Sequence, residues 1–145
     1  DERLSQTLFV VAANNCGELN DGKMRSVENS MPPGLKGLPN VVTVSATAKK
    51  RDGVTRLAYY SNVDGDVAAP GGGGDEGDQV WSTTWGNCST AKPPVCRSTW
   101  SATSGTSMAA PFVTGTAGLM LSTNHSITPE QMKSCLTSGA NVTDI

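Results

Sequence analysis

The chain has 145 residues, of which 37% are hydrophobic and 17% charged, with a formal net charge of −2. That balance suits one globular domain, or part of a larger one, and excludes a disordered chain. The longest basic run, Lys49-Lys50-Arg51, is too small for a nucleic-acid partner, and no apolar stretch nears the roughly 18 residues that a membrane-spanning helix needs.

Residues 8–13 (LFVVAA) form a short continuous apolar run, which suits a strand buried on both faces of a parallel sheet. A domain rarely opens straight into its central sheet, so further sequence is expected before Asp1. The stretch 17–40 is polar and carries Pro32, Pro33, Gly34, Gly37 and Pro39; it reads as a long surface loop with room for one helical turn. Residues 41–46 (VVTVSA) predict a second buried strand and 54–60 a strand nearer an edge. Residues 66–69 (DVAA) predict a shorter strand, ended by Pro70 and the run Gly71 to Gly74. Between 71 and 104 the chain is rich in Gly, Ser, Thr and Pro, and predicts loops and short strands with Trp81, Trp85 and Trp100 as local anchors.

Two helices close the chain. The first is expected to open near Ser107, with Met108, Phe112, Val113, Thr116, Leu119 and Met120 on one broad face and Gly115 and Gly118 permitting close packing on a sheet. The second has a readable start: Thr128 as N-cap, Pro129 at the first position and Gln131 as the capping-box partner, with Gly139 at its end. Strands and helices in this order predict an α/β layered fold, without internal repeats.

The segment Ser104 to Pro111 (SGTSMAAP) has chemical logic of its own. Gly105 lets the chain approach a helix start closely. Ser107 then meets unpaired amides and the positive end of the helix dipole, which stabilise negative charge developing beside it. Ala109 and Ala110 allow tight packing beneath, and Pro111 is expected in the first turn, where its missing N–H costs nothing. The plainer reading is a serine that merely caps a helix. Asn15 reads, by itself, as a turn residue.

Four cysteines (Cys16, Cys88, Cys96 and Cys135) allow three complete pairings, among which sequence does not choose; a Cys88–Cys96 bridge closing its short loop is chemically sensible in a secreted protein. A metal site on these cysteines is disfavoured, because there is no CxxC pair and the only histidine, His125, is remote in sequence. Asp64, Asp66, Asp75, Glu76 and Asp78 could hold calcium, but match no dedicated loop and read better as solvated turns. Gly71 to Gly74 lacks the GK(S/T) ending of a phosphate loop. Sequons stand at Asn87, Asn124 and Asn141.

GTSMAAP resembles the serine signature of the subtilisin-like proteases, GTSMA(A/S)P, at every position. Residues 10–17, VVAANNCG, resemble the family's VVAAGNxG strand end, and VVTVSAT, AYYSN and DVAAPG within 41–71 resemble its V-x-V-G-A, YSN and D-V-x-A-P-G run. The resemblance implies the C-terminal part of a three-layer subtilisin-like fold with a mostly parallel sheet. It implies Ser107 as acylating nucleophile, Asn15 as oxyanion donor, and Ala12, Ala13, Asn14 and Thr106 beside the substrate. It implies no cofactor for catalysis, structural calcium as an open option, protein or peptide substrates, and secretion. The Cys88–Cys96 loop looks like an insertion found in some extracellular relatives. The family's aspartate and histidine precede the oxyanion asparagine, so the upstream part of the same catalytic domain is the expected partner.

Two departures stand out: Asn14 and Ser45 replace the family's usual glycines. Asparagine tolerates the left-handed backbone that glycine would adopt, yet the extra side chain of Asn14 bears on substrate preference. His125 follows Ser107 by 18 residues, roughly 20–27 Å along a helix, too far for a general base. Alternatives are a related scaffold that binds without catalysing, or an unrelated α/β binding module.

Overall fold

The computed structural model describes residues 2–17, 25–29, 34–73, 77–86, 88–89 and 95–140. Gly74, Asp75, Glu76, Asn87, Asn141 and the prolines Pro32 and Pro33 lie outside them. The short helix α1 (Glu2–Ser5) precedes β1 (Phe9–Ala12), and a 3-10 turn spans Val27–Asn29. There follow β2 (Val41–Lys49), β3 (Thr55–Leu57), β4 (Val67–Pro70), β5 (Val80–Gly86), β6 (Arg97–Thr103), α2 (Thr106–Thr123) and α3 (Pro129–Ser138).

β2 is the spine of the fold. It pairs in parallel with β1 (Phe9 opposite Val41) and with β4 (Val44 opposite Val67), and antiparallel with β3 (Thr47 opposite Leu57). Val44 pairs with both Ala12 and Val67, and Thr47 with both Leu57 and Pro70. β1 and β3 therefore lie end to end along one edge of β2, with β4 along the other. The mostly parallel expectation holds for β1, β2 and β4 only, because β3 and the separate β5–β6 hairpin are antiparallel.

Both faces of β2 are buried, for two different reasons. Val42, Val44, Ala46 and Ala48 join Ala109 and Val113 of α2 in the apolar core. The alternate residues Thr43, Ser45 and Thr47 are buried too, although polar. A buried polar group needs a partner, and the loop after β3 supplies partners for Thr43 and Ser45. Asp66 Oδ2 accepts from the Thr43 N–H and hydroxyl, both at 2.8 Å. The Ser45 hydroxyl donates to the Asn62 carbonyl at 2.9 Å and accepts from the Gly65 N–H at 3.2 Å. The unusual Ser45 thus has a structural task.

α2 packs on β1, β2 and β4 through Thr106, Ala109, Val113 and Ala117, at helical spacing. This corrects the predicted face: Phe112 is 47% and Leu119 70% exposed. Close approach to the sheet selects alanine over larger side chains. Gly115 and Gly118 have open space around them and play no part in that packing. Pro111 is the sixth residue of α2, not a first-turn residue, so the Ser107 carbonyl lacks the amide that would otherwise bond to it. Trp81, Trp85 and Trp100 are 66%, 74% and 68% exposed, so they are not the buried local anchors expected.

α3 begins as its sequence dictates. Thr128 Oγ1 accepts from the Gln131 N–H, Gln131 Oε1 accepts from the Thr128 N–H, and Pro129 occupies the first turn. Lys133 of this helix lies 3.3 Å from Asp66 Oδ1. Burial pushes the Asp66 carboxyl up, but the Thr43 hydrogen bonds and the Lys133 ammonium outweigh it and hold it below its ordinary value. A depressed carboxylate stabilises the fold above its unfolded pKa of about 3.9, and that contribution is lost as pH falls through the lower folded value. Asp66→Asn is expected to cost about 1–3 kcal/mol at neutral pH. It should also flatten the acid limb below about pH 4 in urea-denaturation midpoints measured against pH.

Candidate active site

The carboxyl ends of β1 and β4 converge on the start of α2, where α/β folds place their sites. β1 ends at Ala12, and Ala13 continues it by donating its N–H to the Val44 carbonyl at 2.9 Å. Ala12 is half-buried and Ala13 fully buried. Asn14 then turns the chain with φ 83°, the left-handed conformation expected of it. Its side-chain Oδ1 accepts from the Asn15 N–H at 3.1 Å.

From the other side, β4 leads into Gly71, whose carbonyl accepts from the Gly105 N–H at 3.0 Å. A Cβ at Gly71 would lie 2.5 Å from Ala46 Cβ and 2.8 Å from the Gly105 carbonyl, so no larger residue fits this junction. The Tyr60 hydroxyl donates to the Gly71 and Gly72 carbonyls at the same place. Burial is the main reason that its pKa is pushed up to about 12. Gly105 is the N-cap of α2, Thr106 its first residue and Ser107 its second. The simple capping reading of Ser107 therefore does not hold.

The two chain segments meet through Asn15 and Thr106. Asn15 Oδ1 accepts from both the Thr106 N–H and the Thr106 hydroxyl, each at 2.9 Å. A backbone amide can only donate, so the atom facing it must be the oxygen of the carboxamide. The Asn15 Nδ2 is thereby turned away from Thr106. Thr106, expected beside the substrate, is fully buried with its hydroxyl bonded to Asn15. Ser107 and Asn15 are both exposed. Among the described residues, the Ser107 hydroxyl, the Ser107 N–H and the Asn15 Nδ2 have no protein partner. An open depression of about 280 Å³ lies beside Ser107, lined also by Val80, Trp81, Met108 and Phe112.

The remaining sequence candidates fall elsewhere. His125 is exposed beyond the far end of α2. Asp66 is occupied by Thr43 and Lys133, and Asp78 Oδ2 accepts from the Lys49 N–H at 2.7 Å. Among the described residues, no group of three or more His, Cys, Asp or Glu side chains gathers to hold a metal. Cys88 and Cys96 form a disulfide near the tip of the β5–β6 hairpin, while Cys16 and Cys135 are free and exposed. No described helix is long and apolar enough to cross a membrane. Sequence reasoning gave no role to Asn62, a fully buried residue under the Asn15 loop, although it closes the AYYSN segment.

The subtilase family (peptidase S8) model matches residues 1–144, and the chain belongs to that family. Among solved structures, it is similar to a protease of Pseudoalteromonas arctica PAMC 21717, with 28% identity and a TM-score of 0.69 over 96% of this chain and 37% of that one. It is also similar to sphericase, with 26% identity and a TM-score of 0.59 over 97% of this chain and 42% of that one. A cold-adapted subtilisin-like serine proteinase matches at 25% identity and a TM-score of 0.58, over 90% of this chain and 37% of that one. The chain thus spans about two-fifths of the length of these structures. No curated protein matches it.

The backbone at position 14 offers a direct check. Asn14→Gly should leave stability nearly unchanged. Asn14→Val, forced to φ 83°, should lose about 1–2 kcal/mol, read as a lowered thermal midpoint.

Proposed function

We propose that this chain is the C-terminal part of the catalytic domain of a secreted serine endopeptidase. Ser107 is its nucleophile and Asn15 its oxyanion donor. The observation that carries this reading is the pair of hydrogen bonds from Thr106 to Asn15 Oδ1, which brings the residue next to Ser107 into contact with Asn15.

In this mechanism an upstream histidine takes the proton of the Ser107 hydroxyl as its oxygen attacks the scissile carbonyl. The carbonyl oxygen becomes an oxyanion and accepts from the Asn15 Nδ2 and the Ser107 N–H. The tetrahedral intermediate collapses to an acyl-enzyme, the leaving amine departs with the proton, and water releases the acyl group by the same steps in reverse. Ala12 and Asn14 form the wall along which the substrate backbone lies, with Ala13 buried beneath it, and Thr106 contributes by orienting Asn15. No cofactor takes part in these steps, and any calcium would be structural.

Exposed apolar surface supports an upstream part that completes the domain. Phe112 and Leu119 lie on the outer side of α2, and among the described residues β1 pairs only with β2. Without a histidine within reach, the 145-residue chain alone should be nearly inactive; losing that histidine costs a subtilisin about 10⁶-fold in turnover. The Cys88–Cys96 disulfide supports an oxidising, extracellular setting.

A serine-directed organophosphate applied to the full-length protein should modify Ser107, found by peptide mass mapping, and Ser107→Ala should abolish labelling and activity. Asn15→Ala should lower kcat by about 10²–10³ with little change in KM, the cost established for this donor in subtilisin itself. A folded full-length protein that resists the label would overturn the proposal.

A further inference from the structure

We infer that Asn62 is a positioning residue for the oxyanion hole, holding the loop that presents Asn15; this rests on the reading of Asn15 as the oxyanion donor. Asn62 is fully buried and grips the loop on both sides of Asn15. Its backbone N–H donates to the Asn14 carbonyl at 3.1 Å. Its Oδ1 accepts from the Cys16 N–H at 3.0 Å and from the Gly17 N–H at 3.3 Å. Every residue from 14 to 17 is thus bonded to Asn62 except Asn15, whose side-chain oxygen is committed to Thr106.

The grip is itself anchored. Asn62 Nδ2 donates to the Ser26 carbonyl at 3.3 Å, and the Asn62 carbonyl accepts from the Ser45 hydroxyl of β2 at 2.9 Å. Two bonds from one carboxamide oxygen fix both the position and the tilt of the Cys16–Gly17 backbone. Gly17 presses the loop from beneath: it has φ 47°, and a Cβ there would lie 2.4 Å from the Tyr59 carbonyl. Transition-state donors work only when held at the site beforehand, and misplacement of about 1 Å can cost 10²-fold. Asn62 contributes that hold without touching substrate.

A double-mutant cycle in the full-length protease tests the assignment. Asn62→Ala should lower kcat by about 10–100-fold, with KM within about threefold, a loss confined to the transition state. In an Asn15→Ala background the same substitution should cost less than about threefold, because the group it positions is gone. A penalty that persists in full in that background, or a single variant with kcat within about twofold of the parent, overturns the inference. If Asn62→Ala does not fold, Asn62→Ser, whose shorter side chain cannot span both amides, goes through the same cycle with the same criteria. Asn15→Ala separates the two readings. If it leaves kcat unchanged, the oxyanion assignment itself fails. If it lowers kcat and Asn62 does not couple to it, only the positioning role fails.

Discussion

An amide hydrogen can only be given, and the Thr106 N–H is given to Asn15 Oδ1. The orientation of one carboxamide depends on that asymmetry. With its oxygen held by two donors from Thr106, the Asn15 side chain has only one way to face. The rest of the local structure brings these two residues within 2.9 Å of each other, although 91 positions separate them in the chain. β1 delivers Asn15 from one edge of β2, while β4 and Gly71 deliver the start of α2 from the other. The small residues Ala109 and Val113 let α2 settle on the sheet closely enough for the two to meet.

Much of this was legible in the sequence, because the signals are local. Continuous β-branched runs marked β1 and β2, and the helix signals at Thr128, Pro129 and Gln131 marked the start of α3. Asn14 could be read as left-handed because few other residues accept that backbone. The Ser107 segment stood out through its seven-residue resemblance, and the structure places it at a helix start as expected.

What escaped the sequence is what depends on distant partners. The inner face of α2 was misjudged because size suggested burial, whereas proximity to the sheet selects Ala109 and Ala117 and leaves Phe112 and Leu119 outside. The tryptophans were misjudged for the same reason: a large ring is buried only if something covers it. The short strands expected in the Ser- and Thr-rich stretch turn out to be two seven-residue strands, β5 and β6, whose length and antiparallel pairing its composition does not mark. The tasks of Thr43, Ser45 and Asn62 become interpretable only once their partners are known, although Ser45 already stood out as a replaced glycine.

The polar underside of β2 carries a consequence for how the molecule opens. Peeling the segment 61–66 away from the strand would strip Thr43 of its carboxylate and Ser45 of its carbonyl, breaking these bonds together. Lifting it would release the Asn15 loop in the same event, since Asn62 belongs to that segment. Local opening there should therefore be rare, and sheet, loop and helix start should breathe as one cooperative unit. The geometry around Asn15 and the start of α2 would then share the slow exchange of the interior rather than the mobility usual in surface turns.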